Sequence, residues 1–102
     1  MSTDVGIIMG SQSDWPTLKP AAEILSELGV AHEVKIVSAH RTPERTVELV
    51  REAEAGGCRA FICAAGMAAH LGGVVAAHTL LPVIGIPVDG GALNGVDALY
   101  AT

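Results

Sequence analysis

"DVGIIMGSQSD", residues 4–14, sets the frame for the whole chain. A short apolar run rich in β-branched residues stops at a glycine, and two serines and an aspartate follow. Such a run reads as a buried strand, and the break after it as the turn into a helix. The next stretch, from Trp15 to Leu28, carries Leu18, Ala21, Ala22, Leu25 and Leu28 at three- and four-residue spacing, one face of an amphipathic helix. Pro20 lies inside it and is expected to distort its first turn. Gly29 is the stop signal.

The same unit recurs outward along the chain. "HEVKIV" (32–37) is a second strand. "TPERTVELVREAEAGG" (42–57) is a second helix, with Thr42 as cap, Pro43 at the first helical position and a glycine pair at the end. Its buried stripe is expected at Thr46, Leu49, Val50 and Ala53. "RAFICAA" (59–65) is a third strand, and "PVIGIPV" (82–88) a fourth. Between them "MAAHLGGVVAAHTL" (67–80) is apolar nearly all round and predicts a buried helix. "GVDALYAT" begins a further helix or turn. Apolar strands alternating with helices predict an α/β fold, a parallel sheet covered on both faces, with right-handed crossovers. We read residues 1–102 as a single domain. Four strands are few for such a sheet, so a fifth is expected beyond the C-terminal end.

Composition narrows the function classes. Net charge is −5, and Lys19 and Lys35 are the only lysines. That leaves no electrostatic footprint for nucleic acid and no basic face for anionic lipid. An anionic ligand must be small and held locally. No apolar stretch reaches the roughly 18 residues of a membrane span. "MSTDVGII" has no basic n-region, so the expected place is the cytoplasm. Cys58 and Cys63 read as two buried small hydrophobes, placed on opposite faces if the run between them is a strand. They form no CxxC, and no zinc signature is present.

The unusual residues fall at three strand ends. In an open parallel sheet, ligands bind beyond the carboxyl ends of the strands, where strand order reverses. A 2-1-3-4 order would bring the three loops together. "GSQSD" offers the hydroxyls of Ser11 and Ser13 and the amides of a helix N-terminus, a phosphate-sized anion site. The competing reading is helix capping by Ser13 or Asp14. Asp14 suits ribose hydroxyls better than phosphate. "SAHRTP" supplies Ser38, His40 and Arg41. Arg41 can grip a phosphate bidentately, or pair with Glu44 at the surface. His40 can serve as general acid or base, because imidazole titrates near neutrality, or it is a loop histidine bonded to backbone. "AAGMAAHLGG" supplies Gly66, Gly72 and Gly73, for close approach of backbone to a ligand ring or simply for turns. It also supplies His70, which reads first as a packing residue. His78 would share a face with His70 on an unbroken helix, a spacing that does not suit a metal. His32 receives no role.

Together "GIIMGSQSDW", "VSAHRTPE", "AAGMAAHLGG" and "PVIGIPV…ALNGVDALY" resemble the 5-(carboxyamino)imidazole ribonucleotide mutases of bacterial purine synthesis, in motif order and over essentially the whole chain. The resemblance implies a flavodoxin-like three-layer αβα sandwich that assembles into homo-octamers. It implies a phosphorylated aminoimidazole ribonucleotide as substrate and no metal, ATP or biotin. A carboxylate would move from the exocyclic nitrogen to ring carbon C4 through released and recaptured carbon dioxide, with His40 as general acid and base. Ser11 and Asp14 match residues that hold the nucleotide, Arg41 the one that meets the phosphate, and the loop with His70 the one that closes over the base. Two positions depart from the family pattern: Met67 stands where glycine is usual, and Gly72 where proline is usual. The family continues past this length with a fifth strand and C-terminal helices, so the chain reads as incomplete at that end.

Two other readings are weighed. A related class carboxylates aminoimidazole ribonucleotide directly; its pattern has lysine for Arg41 and lacks the "AAHL" loop. A non-catalytic flavodoxin-like nucleotide-binding module is the other. A phosphoacceptor receiver would need clustered acids after strand 1. A flavin carrier would need aromatic residues around the ring, and the chain has one Trp, one Tyr and one Phe.

Overall fold

A computed structural model describes residues 3–89 and 93–102. Four parallel strands, β1 (Val5–Met9), β2 (His32–Ile36), β3 (Ala60–Gly66) and β4 (Val83–Val88), lie in the order β2-β1-β3-β4. The helices are α1 (Trp15–Glu27), α2 (Pro43–Ala55), α3 (Leu71–Ala77) and α4 (Val96–Ala101), with a short 3-10 turn over Gln12–Asp14. The expected strand order and flavodoxin-like α/β architecture are therefore both present. Order reverses between β1 and β3, and that reversal opens a crevice at the carboxyl end of the sheet.

Side chains alternate across each strand and split the core into two clusters. Ile8, Phe61 and Cys63 pack with Leu49, Val50 and Ala53 of α2 and Leu71 and Val75 of α3. Ile7, Met9 and Ala64 face the other way, onto Leu18 and Ala22 of α1. Full burial of one such large side chain is worth about 1.5–3 kcal/mol. The stripe read on α2 is the buried one: Thr46, Leu49, Val50 and Ala53. Gly85 of β4 lies in register with Cys63, and a Cβ there would run into the Thr102 side chain, so the end of α4 packs closely on β4.

Several expectations need correction. The helix read over 67–80 is only Leu71–Ala77. Met67 takes a left-handed backbone, φ 50, which no helix tolerates, so residues 67–70 form a loop. His70 and His78 are the two caps of that helix and do not share an unbroken face. The helix is not buried all round either: Leu71 and Val75 are inside, Ala76 and Ala77 outside. α1 runs on through Pro20. Cys58 precedes β3 rather than lying in it, so both cysteines enter the same cluster; both are free thiols. On β2 the expected two-sided burial fails: Val34 and Ile36 are exposed, because β2 is an outer strand of the described sheet.

Candidate active site

The three loops meet. A cavity of about 650 Å³ at the carboxyl ends of the strands is lined by Ser11, Ser13 and Asp14 from the β1 loop. Ser38, His40 and Arg41 line it from the β2 loop, and Gly66 and His70 from the β3 loop. Eight residues read from the sequence therefore border one space, while Gly72 and Gly73 do not: they lie in α3, Gly72 against Cys63 and Gly85. His78 lines a different cavity, and His32 bonds the Val30 carbonyl at 3.0 Å.

The β1 loop holds itself. Ser11, not Ser13 or Asp14, is the cap: its Oγ accepts from the Ser13 N–H at 3.3 Å, and the Ser11 N–H donates back to Asp14 Oδ2 at 3.2 Å. This reciprocal capping box satisfies two amides within five residues. The Asp14 N–H goes to the Ser11 carbonyl at 3.0 Å. The loop's capacity for an anion therefore rests less on free amides than the sequence implied, and more on the serine hydroxyls, which lie 3.0 Å apart. Asp14 is buried, and burial pushes its carboxyl above the usual 3.8, with the Ser11 amide pulling the other way.

The β2 loop is a pinned turn. The Ser38 carbonyl accepts the Thr42 N–H at 2.8 Å and the Thr42 hydroxyl at 3.0 Å, while Ser38 Oγ accepts the Arg41 N–H at 3.2 Å. Thr42 thus caps α2 by position, but its side chain reaches back into the turn instead of capping. These bonds fix the backbone from which His40 and Arg41 project. Both side chains are exposed. The ion pairs among the described residues are Lys19–Glu23 and Lys35–Glu33, so the Arg41 guanidinium meets no carboxylate there, Glu44 included.

The β3 loop reaches across to the β2 loop. His40 Nε2 and His70 Nδ1 lie 2.9 Å apart, with the rings edge to face, so one nitrogen donates and the other accepts. His70 is exposed rather than packed, which corrects its reading as a core residue. Gly66 pairs with Val88 at the end of β3 and β4, where a Cβ would meet the Val88 carbonyl at 3.4 Å.

Among the lining residues to which sequence reasoning gave no role are Gln12, Ile36 and Asp89. Asp89 directly follows β4, so the rule that found the other loops could have found it. The cavity, with its hydroxyl pair, a guanidinium and an accessible imidazole, lies at the reversal of strand order, the place where an open parallel sheet takes a ligand. The family model described as AIR carboxylase matches residues 4–102, and the chain belongs to that family. It is 56% identical over 97 residues to an N5-carboxyaminoimidazole ribonucleotide mutase of Vibrio cholerae, covering 95% of this chain and 60% of the relative. It is 57% identical to the mutase of Pyrococcus horikoshii, covering 95% and 55%. The crystal structure of Treponema denticola PurE superposes with a TM-score of 0.86 at 32% identity, covering 95% of this chain and 61% of that one. The chain thus spans less than two thirds of the length of these relatives. No helix among the described residues is long and apolar enough to cross a membrane.

Proposed function

We propose that this chain carries the nucleotide-binding and proton-transfer machinery of an N5-carboxyaminoimidazole ribonucleotide mutase. One observation carries the reading: three loops far apart in sequence bring Ser11, Asp14, Ser38, His40, Arg41 and His70 to one cavity, in a chain more than half identical to mutases over nearly its whole length. Arg41, free of a carboxylate partner, meets the phosphate, with the Ser11 and Ser13 hydroxyls beside it. Asp14 keeps Oδ2 on the Ser11 amide, and its other oxygen is left for a ribose hydroxyl.

His40 moves the proton. The exocyclic N–C bond breaks, its electron pair returns to nitrogen, and His40 delivers a proton there. Carbon dioxide leaves and stays in the cavity. Ring carbon C4 then attacks it, and His40 takes up the C4 proton, so the step is an isomerisation with no net proton change. One His40 nitrogen can remain bonded to His70 while the other serves the ligand. Holding carbon dioxide beside C4 replaces a bimolecular recapture with a local one.

We place this activity in the cytoplasm and in a homo-octamer. In support of assembly, Leu80, Leu99 and Tyr100 are apolar and largely exposed. The test of function is incubation with the N-carboxylated nucleotide. Product carboxylated at C4 supports the mutase. Product formed only from aminoimidazole ribonucleotide and added carbon dioxide would indicate the direct carboxylase.

A further inference from the structure

Among the described residues, two that are not glycine have a positive φ, Met67 at 50° and Asn94 at 49°. Asn94 needs little explanation, because asparagine visits this region readily. Met67 does. A left-handed methionine is strained, and strain persists only where something compensates for it. Packing does not supply the compensation, because Met67 is 62% exposed. It stands at the cavity, between the end of β3 and the bonded His70. The loop is held on both sides of it: Gly66 pairs with Val88, the Ala69 N–H returns to the Met67 carbonyl at 2.9 Å, and the His70 N–H to the Ala68 carbonyl at 2.9 Å. These bonds hold Met67 in the strained backbone, and its exposed side chain stands at the cavity without packing against the core.

We propose that Met67 is a specificity residue whose thioether folds over the heteroaromatic ring of the bound nucleotide. This rests on the functional reading above and adds the group that covers the ring. A thioether makes favourable contact with an aromatic ring, and a flexible unbranched side chain adapts to it. Closing over the ligand also buries apolar surface of the exposed Met67 side chain. Met67 carries no titratable group, so it grips the ring and takes no part in the proton transfer.

The test compares 5-aminoimidazole ribonucleotide with ribose 5-phosphate, which lacks the ring. Calorimetric binding and thermal melts would be run on the wild-type chain and on Met67→Ala, Met67→Leu and Met67→Gly. Met67→Ala is expected to weaken the nucleotide roughly two- to tenfold, the range of a sulfur–aromatic contact, and to leave ribose 5-phosphate unchanged. Met67→Leu should retain most of the affinity. Met67→Gly should lose affinity like the alanine variant yet melt higher than wild type, since it releases the left-handed strain. Opposite signs in stability and ring affinity are what a purely structural residue would not produce. Equal losses for both ligands, no loss for the nucleotide, or a lower melting point for Met67→Gly would overturn the proposal while wild-type binding stands. A wild-type chain that binds neither ligand would instead overturn the functional reading, and this proposal with it.

Discussion

The sheet has a cavity at each end, and the two are close in size: about 650 Å³ at the carboxyl end and about 540 Å³ at the amino end. Their chemistry differs. The amino-end cavity is bordered by Ala77, Leu80, Leu81 and the buried Cys58, and of its polar groups Thr79 and Glu54 bond each other while His78 stands apart. Thr79 donates to Glu54 and accepts the Leu81 N–H at 3.1 Å. At the carboxyl end backbone and side chain–backbone bonds hold the loops in shape, and charged and hydroxyl groups still face the cavity. Arg41 has no carboxylate partner among the described residues, and the two serine hydroxyls touch only each other and one amide. The direction of the backbone reinforces the contrast, because helix N-termini point to the carboxyl end and favour an anion there. Volume does not choose the site; unspent polar groups at the correct end of the sheet do.

The contrast breaks most sharply at His40. His40→Asn is expected to lower turnover on the order of a hundredfold or more, the usual cost of losing a general acid–base, while nucleotide binding persists. Near-normal turnover in this variant would remove the proton-transfer role. Arg41→Ala comes next. A hydrogen bond to a charged group is worth about 1.5–3 kcal/mol, so phosphorylated ligand should bind roughly ten- to a hundredfold more weakly, and the dephosphorylated nucleoside much less so. Parallel titrations with the two ligands decide it, and equal losses would show that Arg41 does not read the phosphate.

The amino end supplies the control. Thr79→Val breaks the link to Glu54 and the Leu81 contact, and should cost about 1 kcal/mol in urea unfolding, with kcat/KM unchanged. A catalytic loss there would erase the distinction between the two cavities. Asp14 gives a smaller, pH-dependent effect. Its carboxyl is raised in the folded state, so folding favours the protonated form. Stability contributed at this residue is then highest below the ordinary 3.8 and falls as pH rises through the raised folded value. In Asp14→Asn that fall should vanish, provided the amide oxygen keeps the Ser11 contact. Denaturation midpoints of the two proteins, followed from acid to neutral pH, should diverge in the variant's favour; parallel curves would contradict the burial cause. The smallest effect concerns Cys63, whose thiol burial pushes up to about 12. It should resist alkylation at neutral pH until the chain is unfolded, as mass spectrometry of labelled protein would show.

Much of this was legible from residue order alone. Apolar strands ending at Gly10, Val37 and Gly66, each followed by polar or glycine-rich residues, locate the loops, and the parallel sheet does the rest. What stayed hidden depends on backbone conformation and long-range contact. "MAAHLGG" has the composition of a helix, yet a left-handed Met67 delays the helix to Leu71. The His40–His70 contact joins residues thirty positions apart, and no local pattern encodes it. The capping role fell to Ser11 instead of Ser13 or Asp14 because the first turn is 3-10 and begins earlier than the α-helical spacing shows. Cys58 and Cys63 share a cluster because Cys58 lies in the turn before β3, where alternation does not apply. The alternation rule holds within strands and does not extend to the turn that precedes them.

The central claim is that carbon dioxide, once released from nitrogen, is held in the carboxyl-end cavity and returned to C4. Nucleotide labelled with carbon-13 at the N-carboxylate, incubated with the protein in excess unlabelled bicarbonate and followed by NMR, tests it directly. The expected result is product with the label retained at the C4 carboxylate. Unlabelled product, or nucleotide that loses its carboxylate and gains none, would contradict it.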